Sequence, residues 1–233
     1  WMICTSGVVP AISAVIKALT EPGDKVLVQT PVYNCFFSSI RNNRCEIIRT
    51  PLSYAHDTFT IDYEDLEKKA ADPKVKVMLL CNPHNPVGRV FTGKELEELF
   101  AFAARHDIVV VADEIHSDLI LEGEHIPAIT LNEAARQRVI LHHSASKTYN
   151  IPGLPVAFAI IPNEKLRHKY EEVAATMHAP FDTLSFVALE AAFTKGEEWR
   201  QELLEYLREN KNGWTNGSAG SRGFLSATVK VLI

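Results

Sequence analysis

Lys147 is the one amine in this chain whose surroundings suit covalent chemistry. It stands in Ser144-Ala145-Ser146-Lys147-Thr148-Tyr149-Asn150-Ile151-Pro152-Gly153-Leu154, between small hydroxyl residues and a Pro-Gly turn, straight after the run Val139-Ile140-Leu141. A lysine packed at a strand end is desolvated, which disfavours its charged form and frees its lone pair as a nucleophile, whereas a lone lysine is most often a solvated surface residue. Gly7 follows the strand-like Ile3-Cys4-Thr5 and opens a helical run. The amides of Gly7, Val8 and Val9 there either face an anion, with a helix dipole behind them, or simply close a strand–helix turn. Two Asn-Pro pairs bend Asn82-Pro83-His84-Asn85-Pro86-Val87-Gly88, either to aim the Asn85 amide into a cleft or for backbone reasons alone. Asp113-Glu114-Ile115-His116 ends a strand, where a buried carboxylate requires a cation or a strong donor. Tyr33, just past Thr30-Pro31, either caps a planar ligand or packs in the core.

Asp113, His116 and Asp118 have no second His or Cys at ligand spacing, and His142 and His143 point to opposite faces of a strand, so no metal site is expected. An organic cofactor suits the set better. A phosphate needs the amides at Gly7 and Val8, with the Ser144 hydroxyl added, and a planar ring needs Tyr33. A ring nitrogen that must stay protonated needs Asp113, and an aldehyde needs Lys147 for a Schiff base. Pyridoxal 5′-phosphate (PLP) makes all of these demands.

The elements that must position these residues alternate. Strand-like runs at 25–30, 45–51, 75–81, 108–112, 139–143 and 158–161 are separated by helical patterns at 11–19, 34–42, 62–72, 92–106 and 131–136. Thr92 with Glu95 three residues later forms a capping box for the longest of these. Residues 164–211 read as helical, broken at Ala179-Pro180 and again at Lys195-Gly196. Beyond Lys211, Asn212 to Ser221 is rich in Gly, Ser and Asn and shows no helical period, so 212–233 reads as a tail. The alternation predicts an α/β fold with a mostly parallel sheet covered on both faces, in which ligands bind outside the carboxyl ends of the strands. Every candidate residue falls at such an end.

At 233 residues the chain can bury a substantial core. A net charge of −5 without basic clusters argues against nucleic acid or anionic membrane as partner. No apolar run approaches the ~20 residues that cross a bilayer, and Cys4, Cys35, Cys45 and Cys81 form no C-x-x-C pair, so reduced thiols and a cytoplasmic location are expected. The chain opens at Trp1-Met2, in what reads as the middle of a strand, which marks it as a fragment.

The sequence resembles the class I/II aminotransferase family of fold type I PLP enzymes, and most of all its cystathionine β-lyase (C–S lyase) branch. The resemblance rests on Ser6-Gly7-Val8-Val9-Pro10-Ala11, Thr30-Pro31-Val32-Tyr33, Asn82 to Gly88, Ala112-Asp113-Glu114-Ile115-His116-Ser117-Asp118-Leu119 and Ser144 to Leu154, in the family's order over residues 1–211. It implies a three-layer α/β/α large domain with one antiparallel strand. Lys147 would bond the cofactor and later move the substrate's Cα proton. Asp113 would pair with the ring nitrogen, Asn85 with the ring oxygen, and Tyr33 would stack on the ring. Ser144 and the amides of Gly7 and Val8 would hold the phosphate. His116 stands where transaminases usually carry a tyrosine, and the lyase branch shares that substitution. Where many aminotransferases have an arginine eight residues after the lysine, this chain has Pro155. The resemblance also implies a homodimer, and a smaller C-terminal domain, carrying the arginine for the substrate carboxylate, that this chain lacks. The activity implied is β-elimination of a sulfur-bearing amino acid to pyruvate, ammonia and a thiol. A transaminase and a non-catalytic PLP-binding regulatory module are the alternatives.

Overall fold

In the computed structural model of the chain, which describes residues 1–177 and 182–218, the two periods of the sequence separate into a sheet and its coverings. Strands β1 (Met2–Thr5), β2 (Lys25–Thr30), β3 (Glu46–Pro51), β6 (Val75–Cys81), β7 (Val109–Asp113), β8 (Val139–His143) and β9 (Ala157–Ile160) make one seven-stranded sheet. Its order is β1-β9-β8-β7-β6-β2-β3. Neighbours pair in parallel except at β9, which runs antiparallel to both β1 and β8. The one antiparallel strand expected from the resemblance is therefore β9.

Parallel strands buried on both faces read as continuous apolar runs, and each face has its own core. Leu27, Met78, Leu80, Val110, Ala112 and Leu141 pack under helices α3 (Tyr63–Ala70) and α4 (Gly93–Arg105), with Phe91, Leu96, Leu99 and Phe102 filling the layer. Val26, Val28, Val77, Leu79, Val111 and Ile140 face the other way, against α1 (Val8–Leu19), α2 (Cys35–Asn42) and α6 (Glu164–Thr176). Each such side chain contributes about 1.5–3 kcal/mol by leaving water. The three-layer α/β/α arrangement follows from this division, and it places the carboxyl ends of β1, β2, β6, β7 and β8 along one edge.

Local signals account for the boundaries. Asp62 caps α3 by accepting from Asp65 N, and the acidic first turn, Glu64 and Asp65, suits the positive end of the helix. Thr92 Oγ1 accepts from Glu95 N at 3.3 Å while the Glu95 carboxylate accepts from Thr92 N at 2.8 Å, the reciprocal cap read from the sequence. The short helix α5 (Glu133–Arg136) is capped by Asn132.

Two features depart from the sequence reading. A hairpin of β4 (Ser53–Ala55) and β5 (Thr58–Thr60) was not anticipated, because its turn residues His56 and Asp57 adopt φ of 51° and 58° without the Asn-Gly or Asp-Gly that marks such turns. Helix α8 (Glu197–Ser218) continues through residues 212–218, which the sequence assigned to an irregular tail. Leu204 and Leu207 bury against Val90, Leu119 and Leu121, while Arg208 donates to Leu121 O and Lys211 pairs with Glu122. An anchored helix propagates past Gly213 at a cost of only about 1 kcal/mol. α7 (Thr183–Lys195) follows α6, and Gly196 separates α7 from α8 where the sequence placed a break. The break assigned to Ala179-Pro180, and the tail from 219 onward, lie outside the described residues. Among the described residues no helix is long and apolar enough to cross a membrane.

Replacing Thr92 by Ala removes one half of the α4 cap and should cost about 1 kcal/mol of stability. Urea unfolding of the full-length protein should show a lower midpoint with an unchanged slope. An unmoved midpoint would mean that α4 is fixed by packing alone.

Candidate active site

Four strand–helix connections and the turn after β8 converge on one cavity. Its walls are Val8 and Val9 from the start of α1, Tyr33 after β2, Cys81 and Asn85 from the end of β6, Asp113, Ile115 and His116 from the end of β7, and Lys147 after β8. Of the residues singled out from the sequence, Val8, Tyr33, Asn85, Asp113, His116 and Lys147 are thus brought together. Gly7 lies beside Val8 at the helix N-terminus but is not itself a wall. Ser144 is not a wall either.

Each wall has a local cause. Gly7 holds φ 155°, ψ 160°, and no side chain caps α1. The first helical bond closes from Ala11 N to Gly7 O, and among the described residues nothing accepts from the amides of Val8 and Val9. Those amides are an uncapped helix N-terminus, suited to an anion. The Asn82–Gly88 loop is tied down by Phe91 N donating to Asn82 Oδ1 at 3.0 Å, by Gly88 N donating to His84 O, and by His84 Nε2 against Pro31 O at 2.7 Å. The Asn85 side-chain amide is left without a protein partner among the described residues, at the cavity wall.

Asp113 is 5 % exposed. Its Oδ1 accepts from Ile115 N at 3.2 Å, and Oδ2 has no partner among the described residues. Burial pushes the carboxyl up to about 6, against the opposing pull of the Ile115 amide and the charges of His143 and Lys147. His116 is pushed down to about 4, by burial and then by the Lys147 charge, so its ring is neutral near pH 7. Its Nδ1 is buried with no partner among the described residues. Tyr33 is raised to about 12 by the neighbouring Cys35 thiol and by burial, and stays a neutral phenol.

One expectation is corrected here. Lys147 is exposed on its turn, whereas the sequence suggested a desolvated amine. It follows the last residue of β8 by four positions, on a turn that rises above the sheet edge, and the described chain does not close over it. Its chemistry depends on what joins it in the cavity rather than on burial. The Ser144 hydroxyl donates to Val156 O at 2.7 Å and accepts from Ser146 N at 3.1 Å, so its single proton is already engaged and it staples the Lys147 turn to the segment leading into β9. Sequence reading missed Ile115 and set Cys81 aside. Ile115 enters because the chain turns back two residues past Asp113, and the Cys81 thiol enters as a buried wall donating to Pro83 O at 3.2 Å.

The donor set fits one kind of occupant. It offers amides to an anion at one end, an unpaired carboxylate oxygen and an orphaned imidazole nitrogen along its walls, an aromatic face and a primary amine. A planar ring carrying a phosphate, a basic nitrogen and an electrophilic carbon would satisfy each.

The aminotransferase class I and II family model matches residues 2–216. Cystathionine beta-lyase PatB of Bacillus subtilis is 39% identical over 208 residues, covering 88% of this chain and 54% of the relative. Cystalysin from Treponema denticola, solved with pyridoxal 5′-phosphate, superposes with a TM-score of 0.91 at 34% identity, over 95% of this chain and 57% of that one. A PLP-bound C-S lyase from Staphylococcus hominis gives a TM-score of 0.86 at 31% identity, over 94% and 55%. The chain spans about half the length of the curated relatives it matches.

Asp113 carries a testable signature. Its carboxyl lies at about 6 in the fold against an ordinary value of 3.8. The fold therefore binds the proton more tightly, and stability is lost as pH rises from about 4 to 6, by roughly 2–3 kcal/mol. In the cofactor-free full-length protein, Asp113→Asn should be more stable than wild type at pH 8, with the difference closing below pH 4. A variant equally or less stable at pH 8 would refute a carboxylate whose burial outweighs the groups that favour its charge.

Proposed function

The chain belongs to the aminotransferase class I and II family, and on that premise we propose that it is the cofactor-binding part of a PLP-dependent carbon–sulfur lyase. The observation that carries this reading is that Lys147 and Asp113, from the ends of two different strands, line the same cavity. The likeness to a cystathionine beta-lyase and to a PLP-bound C-S lyase structure favours the lyase over its relatives.

Bound in the cavity, PLP would supply an aldehyde for amino groups and a ring that withdraws electrons from a substrate's Cα. The chain's own residues would do the rest. The uncapped amides of Gly7 and Val8 would take the phosphate, supported by the α1 dipole. Asp113 would hold a proton on the ring nitrogen, where the pair lowers the cost of burying either charge. Asn85 would donate to the ring oxygen, and the neutral His116 would turn a ring nitrogen towards the same side. Tyr33 would cover the ring face. Lys147 would hold the aldehyde carbon and, once released by an incoming amino group, accept the Cα proton as general base. Ser144, which also fixes the turn on which Lys147 stands, would add its hydroxyl to the phosphate site. Residues 1 to about 211 would form this cofactor-binding domain.

The reaction would break the Cβ–S bond of a sulfur-bearing amino acid and consume water, giving a thiol, pyruvate and ammonia. The whole protein would work in the cytoplasm as a homodimer on a small amino-acid substrate, with neither nucleic acid nor membrane as partner. The family's name keeps a second reading in play, transfer of the amino group to a keto acid.

Incubating the PLP-loaded full-length protein with cystathionine separates the two. Pyruvate and ammonia should accumulate without any added keto acid, and Lys147→Ala should lower the rate at least ~10³-fold. Turnover that requires a keto-acid acceptor would identify a transaminase instead.

A further inference from the structure

His84 does more than close its own loop. It is fully buried, and its backbone serves the Asn82–Gly88 segment: its N–H donates to Arg89 O at 2.7 Å and its carbonyl accepts from Gly88 N at 2.9 Å. Its side chain leaves that segment. Nε2 lies 2.7 Å from Pro31 O, in the connection that follows β2 and leads to Tyr33. A peptide carbonyl only accepts, so Nε2 must carry a proton there. The ring stands edge-on to Phe91 at 5.9 Å. Arg89 lies over the same Phe91 ring at 4.9 Å and pairs at 2.6 Å with Glu95 in the first turn of α4, so the donor is mounted on a packed body.

The receiving side has few bonds of its own. Thr30 O accepts from Leu52 N at 2.8 Å, and Tyr33 O accepts from Phe36 N at 3.1 Å where α2 begins. Between them, among the described residues, the bond from His84 is the only hydrogen bond made by Pro31 or Val32. Val32 and Tyr33 also pack against the core, with Tyr33 edge-on to Phe36 at 6.4 Å. Apolar packing has no direction of its own, whereas a hydrogen bond fixes a distance. Both ends of this link lead to the cavity. Tyr33 stands two residues past Pro31, Asn85 stands one residue past His84, and both are walls, while His84 itself is not.

We propose that His84 is a positioning residue that sets the spacing between the Tyr33 ring and the Asn85 amide, and with it the width of the slot that takes the planar part of the cofactor. The bond is buried, so removing the donor leaves the Pro31 carbonyl unsatisfied and costs more than the bond itself contributes. The phosphate end is independent of it. The amides of Gly7 and Val8 belong to the start of α1, and among the described residues no hydrogen bond runs from His84 to that helix. An effect on holding the ring without an effect on holding the phosphate is therefore its signature. The meaning for the cofactor rests on the PLP reading. The link between the two loops does not.

The test is equilibrium binding to the cofactor-free full-length protein, with pyridoxal 5′-phosphate and inorganic phosphate as separate probes, in wild type, His84→Leu and His84→Gln. Leucine keeps bulk and loses the donor, and glutamine carries an amide donor at a reach close to that of Nε2. H84L should bind pyridoxal 5′-phosphate about 10-fold more weakly. It should bind inorganic phosphate as wild type does, and H84Q should recover most of the loss. Equal affinity of folded H84L and wild type for pyridoxal 5′-phosphate overturns the proposal, as does a parallel loss of phosphate binding or an H84Q no better than H84L. A measurement needing no variant stands beside it, the ¹⁵N signals of the wild-type His84 ring without cofactor. A slowly exchanging proton on Nε2 supports the link, and a bare Nε2 overturns it. If that proton is present and wild type fails to take up pyridoxal 5′-phosphate, the cofactor reading falls and the link between the loops stands.

Discussion

A carboxylate buried at the end of a strand must find a cation or give up its charge, and Asp113 is where this chain meets that constraint. The residue sits in the sheet between Cys81 and His142, with one backbone amide as its only hydrogen-bond donor among the described residues. Burial has already moved its carboxyl to about 6, so near neutral pH a small change of surroundings decides its state. Placed opposite a basic ring nitrogen, the same carboxylate would become a fixed negative charge holding a proton in place. The cost that the site imposes on the cofactor-free fold is the property that suits it to a cationic aromatic ring.

The rest of the fold can be understood as what brings partners to that carboxylate. Parallel strands release their following loops at one edge, so residues from five strand ends far apart in the chain meet there. Each loop is pinned by its own bonds: Asn82 to Phe91, His84 to Pro31, and Ser144 to Val156. α7 and α8 are coupled to the same edge by Phe193 on His143, Tyr149 against Trp199 at 5.9 Å, and Arg200 on the Asp118 carbonyl. Gly196 permits this approach, since a Cβ there would lie 2.4 Å from both the Tyr149 ring and Ala192 O.

Much of this was legible in the sequence because short-range rules decide it. β6 is an apolar run broken only by Lys76 and occupies the residues its composition indicated, and the Thr92–Glu95 cap is local chemistry three residues long. The site residues were legible because loop signals mark strand ends, and strand ends of a parallel sheet share an edge. The misses come from long-range terms. The β4–β5 turn is held by the strands it joins, α8 outruns its propensity because its earlier turns are packed, and the exposure of Lys147 depends on what the chain builds above the sheet edge.

The account as a whole stands on one amine and one acid acting on the same ring, and the amine can be located directly. The PLP-loaded full-length protein is treated with borohydride, digested with trypsin, and its peptides are mapped by mass. The pyridoxyl group should be found on Lys147 and on no other lysine. A label on a different lysine, or a protein recovered without any label, would contradict the assignment.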